Sequence, residues 1–168
     1  MSNETKHPIV NLADLELVSG GNGGAFQSQL GRIGGLIGLG KLGMMLTIVE
    51  PGKKAYPHHA HSANDEAFVI LEGEGIYRFG TEEFPIKAGD ILAAPAGGPE
   101  VAHQILNTGS VTMKYLGIST KVEPEIVEYP DSGKFAAVAR LKGESFLSGE
   151  FVHIGRRTDS YDYWDGEA

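Results

Sequence analysis

Apolar residues recur in short runs along this chain, and glycine, proline or acidic residues interrupt each run. Residues 44 to 49 read as a buried strand, closed by the Pro51-Gly52 turn pair. Residues 67 to 71 are apolar at every position, so the strand they predict is covered on both faces. Residues 76 to 79 and 82 to 86 predict two more strands, joined by a loop that includes Gly80. Gly89-Asp90 is a turn signal before the short run 91 to 94. Residues 95 to 100 form a loop holding two prolines and two glycines, and strands follow at 103 to 107 and 111 to 119. No run approaches the length of a membrane-spanning helix. The pattern is that of an all-β domain.

The flanks are less regular. Residues 1 to 8 read as a loose end, and 9 to 18 as one strand or a turn-rich arm. The glycine-rich segment 19 to 24 predicts a loop. Between 35 and 43 lie two incomplete nucleotide-binding motifs. The segment from Gly35 to Lys41 begins like a phosphate-binding loop, but Leu42 stands where a magnesium-holding hydroxyl is needed. Gly38, Gly40 and Gly43 match G-x-G-x-x-G, yet a short apolar run follows where that fingerprint requires a helix. A glycine-rich turn between strands explains both. Beyond residue 120 the segments around Pro124 and 129 to 134 read as extended or turn structure, and Tyr161, Tyr163 and Trp164 crowd the end.

Composition narrows the function. The chain has 168 residues with 41% hydrophobic content, enough for one domain with arms. Its net charge of −8 argues against nucleic-acid binding driven by phosphate neutralisation. Cysteine is absent, so no disulfide framework forms. The polar start carries no signal-peptide pattern, and a cytoplasmic protein without membrane attachment is the expectation.

The chemistry concentrates between residues 57 and 66. His58, His59 and His61 are followed by Asp65 and Glu66. Imidazole and carboxylate together suit a first-row transition metal. Strand alternation puts His59 and His61 on one side, with Ala60 pointing away. A turn over 62 to 65 and a hairpin would bring Glu66 back opposite the two imidazoles. Alternation then points Phe68 and Ile70 the same way as Glu66, into a cavity. His58 competes with His59, and Asp65 with Glu66, for the same roles. Further on, His103, Ile105 and Asn107 share a face, and His103 offers a fourth ligand.

The first stretch reads His-x-His-x4-Glu-x6-Gly from His59 to Gly73. The second reads Gly-x5-Pro-x-Gly from Gly89 to Gly97, then His103-x3-Asn107. In order and spacing these two stretches resemble the paired motifs of the cupin superfamily. The resemblance implies a small jelly-roll β-barrel holding a divalent transition metal (Fe, Mn, Ni or Zn) through His59, His61, Glu66 and His103. Two spacings depart from the family pattern: Gly52 to His59 is one residue longer, and Gly97 to His103 three residues longer. Both leave the ligand spacing intact and alter the loops. The chain is also similar to an uncharacterised bacterial group of single cupins, sometimes labelled sugar-phosphate isomerase-like, with an extension around residues 128 to 134.

The expected organisation is an N-terminal arm and glycine-rich loop over 1 to 40, a barrel over 41 to 120, and an extension over 121 to 168 that packs on the barrel or on a second subunit. Phe68, Ile70 and Ile105 are the expected cavity lining. His58 and Asn107 are expected to support the ligands, and Glu66 to move a proton as well as bind metal. A phosphate-bearing substrate would want a cation in the cavity; Arg78, Lys87 and Lys114 are the candidates, against a solvated outer face. Tyr77 and Tyr115 are candidate proton donors. The implied function is a metal-dependent small-molecule enzyme, a sugar or sugar-phosphate isomerase using the metal as Lewis acid. The alternatives are an Fe(II) dioxygenase and a non-catalytic ligand-binding barrel. The family likeness also implies a homodimer.

Overall fold

The computed structural model describes residues 7–142 and 148–167. It is an all-β jelly-roll barrel, with only short 3-10 turns beside the strands among the described residues. Among the described residues, thirteen strands form three antiparallel sheets. The first sheet holds six: β1 (Leu17–Gly21), β2 (Gln27–Arg32), β3 (Leu42–Val49), β5 (Glu66–Glu72), β8 (Ile91–Ala94) and β10 (Met113–Thr120), in the order β1-β2-β3-β10-β5-β8. The second pairs β6 (Glu74–Phe79) with β7 (Glu82–Lys87) and β9 (His103–Leu106), in the order β7-β6-β9. The third runs β13-β12-β11-β4, from β4 (Ala60–His61), β11 (Glu125–Tyr129), β12 (Lys134–Ala139) and β13 (Phe151–Arg156).

The main core lies between the first two sheets. Val49, Phe68, Ile70, Leu92, Met113 and Tyr115 come from the six-stranded sheet, and Tyr77, Ile86 and Ile105 from the three-stranded one. Fully burying an aliphatic side chain such as Ile70 or Val49 contributes about 1.5–3 kcal/mol each. The alternation in β3 explains its continuous apolar run. Val49 faces this core, while Leu46 and Ile48 face a second cluster with Leu15, Ile33 and Val10 on the outer side. The N-terminal arm therefore covers the outer face of its own sheet. A third cluster, Val127, Ala136 and Val138, holds the C-terminal sheet.

Several expectations change. Residues 19 to 21 belong to β1 and not to a loop. Glycine is admitted there because the strands approach closely: a Cβ on Gly20 would lie 3.0 Å from the Leu30 side chain. β4 and β5 form no hairpin; β4 pairs with β11, with Val127 opposite His61. β10 and β8 pair with the two edges of β5, but only one of its faces is fully covered: Phe68 and Ile70 are buried, while Val69 is half-buried and Leu71 exposed. The aromatic end is largely exposed: Tyr161, Tyr163 and Trp164 are 83%, 82% and 71% exposed, with Tyr163 and Trp164 in edge contact with each other. The segment from 34 to 38 is turn, and β3 begins at Leu42 after three further irregular residues, as a glycine-rich connection between strands predicts.

Candidate metal centre

Two sheet edges and a bridge bring the chemistry together. His61 closes β4, Glu66 opens β5, and His103 opens β9. His59 meets His103 in an isolated antiparallel bridge, with His59 N donating to His103 O at 3.1 Å and His103 N to His59 O at 2.7 Å. The additional residues before His103 form a 3-10 turn, Pro99–Val101.

Glu66 Oε2 is the point of convergence. It lies 3.0 Å from His103 Nε2, 3.6 Å from His61 Nε2 and 4.0 Å from His59 Nε2. Ligand atoms of His59, His61 and Glu66 all sit within 4.8 Å of one another, and His103 joins the group through Glu66. The His59 ring centroid is 5.1 Å from that of His61 and 4.5 Å from that of His103. The Nδ1–H of His59 donates to Pro57 O at 2.8 Å, which turns the Nε2 lone pair toward the group. Three imidazole nitrogens and one carboxylate, converging in a largely buried site, fit a divalent first-row transition ion.

The electrostatics agree with close packing. Burial, reinforced by His103 and His61, pulls the His59 imidazole down to about 3. Burial also works against charge on His61, but the Glu125 and Glu66 carboxylates outweigh it and hold His61 above its ordinary value. Glu66 is pulled the other way: burial alone would raise it, and the neighbouring imidazoles, His103 foremost, keep it below the usual glutamate range.

The C-terminal sheet completes the surroundings; the stretch 128 to 134 includes Tyr129, and no motif marked Glu125. Glu125, on β11, is buried. It accepts from Ala63 N at 3.1 Å and from the Asn64 side-chain amide, and its Oε2 lies 3.6 Å from His61 Nδ1. A carboxylate at Nδ1 favours the tautomer that leaves Nε2 free for an ion. Tyr129, also on β11, lies parallel to His59 at 6.2 Å between ring centroids. Only pairing across the fold brings these residues in.

The other named residues take these places. Phe68 packs 5.6 Å from the His103 ring, while Ile70 and Ile105 lie in the barrel core. His58 is buried, with Nε2 3.0 Å from Ala102 O and Nδ1 3.4 Å from Asp131, so it braces the backbone beside His103. Asn107 is buried away from the ligands: it donates to Val49 O and Val111 O and accepts from Gly109 N. Asp65 accepts from Ala96 N at 2.9 Å. Arg78 forms a two-bonded pair with Asp131, Lys114 pairs with Glu72, and Lys87 is exposed. Tyr77 donates to Ala93 O, and burial raises the pKa of both Tyr77 and Tyr115, which fixes them as neutral phenols.

Residues 45–119 match the family described as the cupin domain. Auxin-binding protein 1 of Arabidopsis thaliana is 32% identical over 146 residues, covering 80% of this chain and 70% of the relative. The chain belongs to the cupin superfamily. An oxalate-binding protein of Thermotoga maritima is 35% identical over 60 residues, covering 36% of this cupin and 47% of the relative. The cupin thus spans about half the length of the first curated relatives it matches. A solved structure of a sugar phosphate isomerase from a cupin superfamily, from Silicibacter pomeroyi, superposes with a TM-score of 0.76. It is 26% identical, with 94% of this chain and 98% of that chain covered.

Proposed function

We propose that this cupin is a metal-dependent enzyme acting on a small polyoxygenated substrate, with aldose–ketose isomerisation as the reaction. The observation that carries the reading is the convergence of three imidazole nitrogens on Glu66 Oε2. His59, His61, Glu66 and His103 would hold the ion. When bound, a divalent ion there supplies Lewis acidity toward adjacent carbonyl and hydroxyl oxygens. Glu66 is the carboxylate that moves the proton between neighbouring carbons, since it stays ionised among the imidazoles. Tyr56 stands at the same cavity, 6.3 Å between its ring centroid and that of His59. Burial, with Glu66 adding to it, pushes its phenol up to about 12, so at neutral pH it donates a hydrogen bond and keeps its proton. Phe68 and the barrel core exclude water from one side of the group. The likeness to a structure called a sugar phosphate isomerase supports the substrate class.

A second reading, a non-catalytic barrel for a small ligand, draws on the relative named as an oxalate-binding protein. One pair of measurements separates them. Metal content by mass spectrometry, on wild type and on the His59→Ala/His61→Ala double variant, tests the centre. Hydrogen exchange of aldose and ketose substrates in deuterated water, followed by NMR, tests the proton transfer. About one ion per chain, lost in the double variant, together with exchange catalysed only by wild type, is the expected result. Near-zero metal in both proteins sinks the enzyme reading. Oxygen consumption with Fe(II) in place of exchange would move the chemistry to a dioxygenase.

A further inference from the structure

The inner wall of the barrel carries a cation, Arg32, that pairs with no acid among the described residues. β2 ends at Arg32, and strand register places Arg32 opposite Met45 on β3. Met45 stands opposite Gly117 on β10, and Gly117 opposite Phe68 on β5. Residues directly opposite in antiparallel strands present their side chains to the same face. Arg32, Met45, Gly117 and Phe68 therefore form one row across the inner face of the six-stranded sheet. The parallel row two residues along holds Gly43, Ser119 and Glu66. Arg32 thus shares its face with the proton-moving carboxylate, at the other side of the wall.

Three observations set Arg32 apart from Arg78, Lys87 and Lys114. It is half-buried, yet its side chain makes no hydrogen bond or ion pair among the described residues. Arg78 and Lys114 are both occupied by acids, and Lys87 is exposed. Tyr56 stands between Arg32 and the metal residues. Its hydroxyl is 3.9 Å from the sulfur of Met45, which is Arg32's row neighbour, and the charges of Glu66 and Arg32 both act on it. Between Arg32 and Phe68 the row carries Met45 and Gly117, and the next row carries Gly43 and Ser119. In a chain of net charge −8, an anion that enters the barrel needs a local cation to hold it.

We propose that Arg32 is the anion-recognising residue of this cavity, so that the substrate carries an oxyanion at the end remote from His59, His61 and Glu66. The inference rests on the enzyme reading above and narrows its substrate. Three strand spacings of about 4.8 Å separate Arg32 from Phe68 along the sheet, and the long arginine stem covers only part of that span. The ligand is accordingly a chain of several carbons, not a compact two-carbon acid that both ends would grip at once. A guanidinium fork suits phosphate and carboxylate alike.

Unreactive five-carbon polyols test this. Xylitol 5-phosphate, xylonate and xylitol share one carbon chain and differ only at the terminal group. Their binding to metal-loaded wild type, Arg32→Gln and Arg32→Lys is read by titration calorimetry, with metal content measured on each preparation. The expected result is that one anionic polyol binds wild type at least about tenfold more tightly than xylitol. Arg32→Gln loses that preference, Arg32→Lys keeps part of it, and all three proteins hold the same metal. Preference for the phosphate over the carboxylate, or the reverse, names the oxyanion. Equal binding of charged and neutral polyols to wild type, no binding of any of them, or an undiminished preference in Arg32→Gln overturns the proposal. Wild type without metal defeats the enzyme reading separately, because the comparison of polyols still reads the charge at Arg32.

Discussion

Replacing Glu125 tests whether the C-terminal sheet belongs to the proposed metal centre or only packs beside it. The carboxylate is 4% exposed, accepts from Ala63 N at 3.1 Å and from the Asn64 amide, and faces His61 Nδ1 at 3.6 Å. In Glu125→Ala the Ala63 N–H and one Asn64 N–H lose their acceptor inside the protein. A buried donor left unpaired costs roughly 1–3 kcal/mol, so the variant should lose roughly 2–4 kcal/mol of folding stability. The effect on metal has a different origin. His61 loses the partner that sets its tautomer and ring orientation, and losses of this kind lower metal affinity about 10–100-fold. Glu125→Gln separates the two effects, because it keeps the side-chain volume and an acceptor oxygen while removing the charge. Urea denaturation of the metal-free proteins gives the first quantity, and zinc competition against a chromogenic chelator gives the second. Both variants should bind zinc more weakly, with Glu125→Gln the less destabilised. Zinc affinity within about twofold of wild type in both variants would refute the argument that this carboxylate orients His61.

Three further outcomes follow from the packing. Asn107→Ala removes two donated bonds and one accepted bond from a buried turn and should cost roughly 2–4 kcal/mol in urea denaturation, while metal content stays unchanged, because Asn107 touches no ligand. Asp131→Asn should lower the melting temperature at pH 7. The paired Arg78 holds the Asp131 carboxyl below its ordinary value, so its contribution is present above about pH 3.9 and is lost as pH falls through the depressed folded value; the gap between variant and wild type should close in acid. Gly75→Ala places a methyl group against the Leu106 carbonyl oxygen and the end of Met113, and circular dichroism melts should show a loss of about 1–3 kcal/mol.

Much of the barrel was legible because strand formation is a local property. The runs at 44 to 49, 67 to 71 and 82 to 86 became β3, β5 and β7, since short apolar runs between turn residues leave the backbone few alternatives. The glycine-rich stretch at 19 to 21 was misread, because glycine signals a loop only when no neighbouring strand requires close approach. The hairpin expected between the histidines and Glu66 did not form, although Glu66 still reaches them. The turn at 62 to 65 sends β5 into another sheet, where β10 and β8 pair with its two edges.

The sequence by itself determined the strand class, the cupin resemblance and the histidines that gather around Glu66, because spacing within each motif is set by strand periodicity over a few residues. Tertiary structure alone decided what surrounds them. Glu125 and Tyr129 reach the histidines because β11 pairs with β4, and Arg32 joins the inner wall because β2 pairs with β3. Such pairings depend on which edges remain open once the core is buried, a property of the whole chain that no local spacing carries.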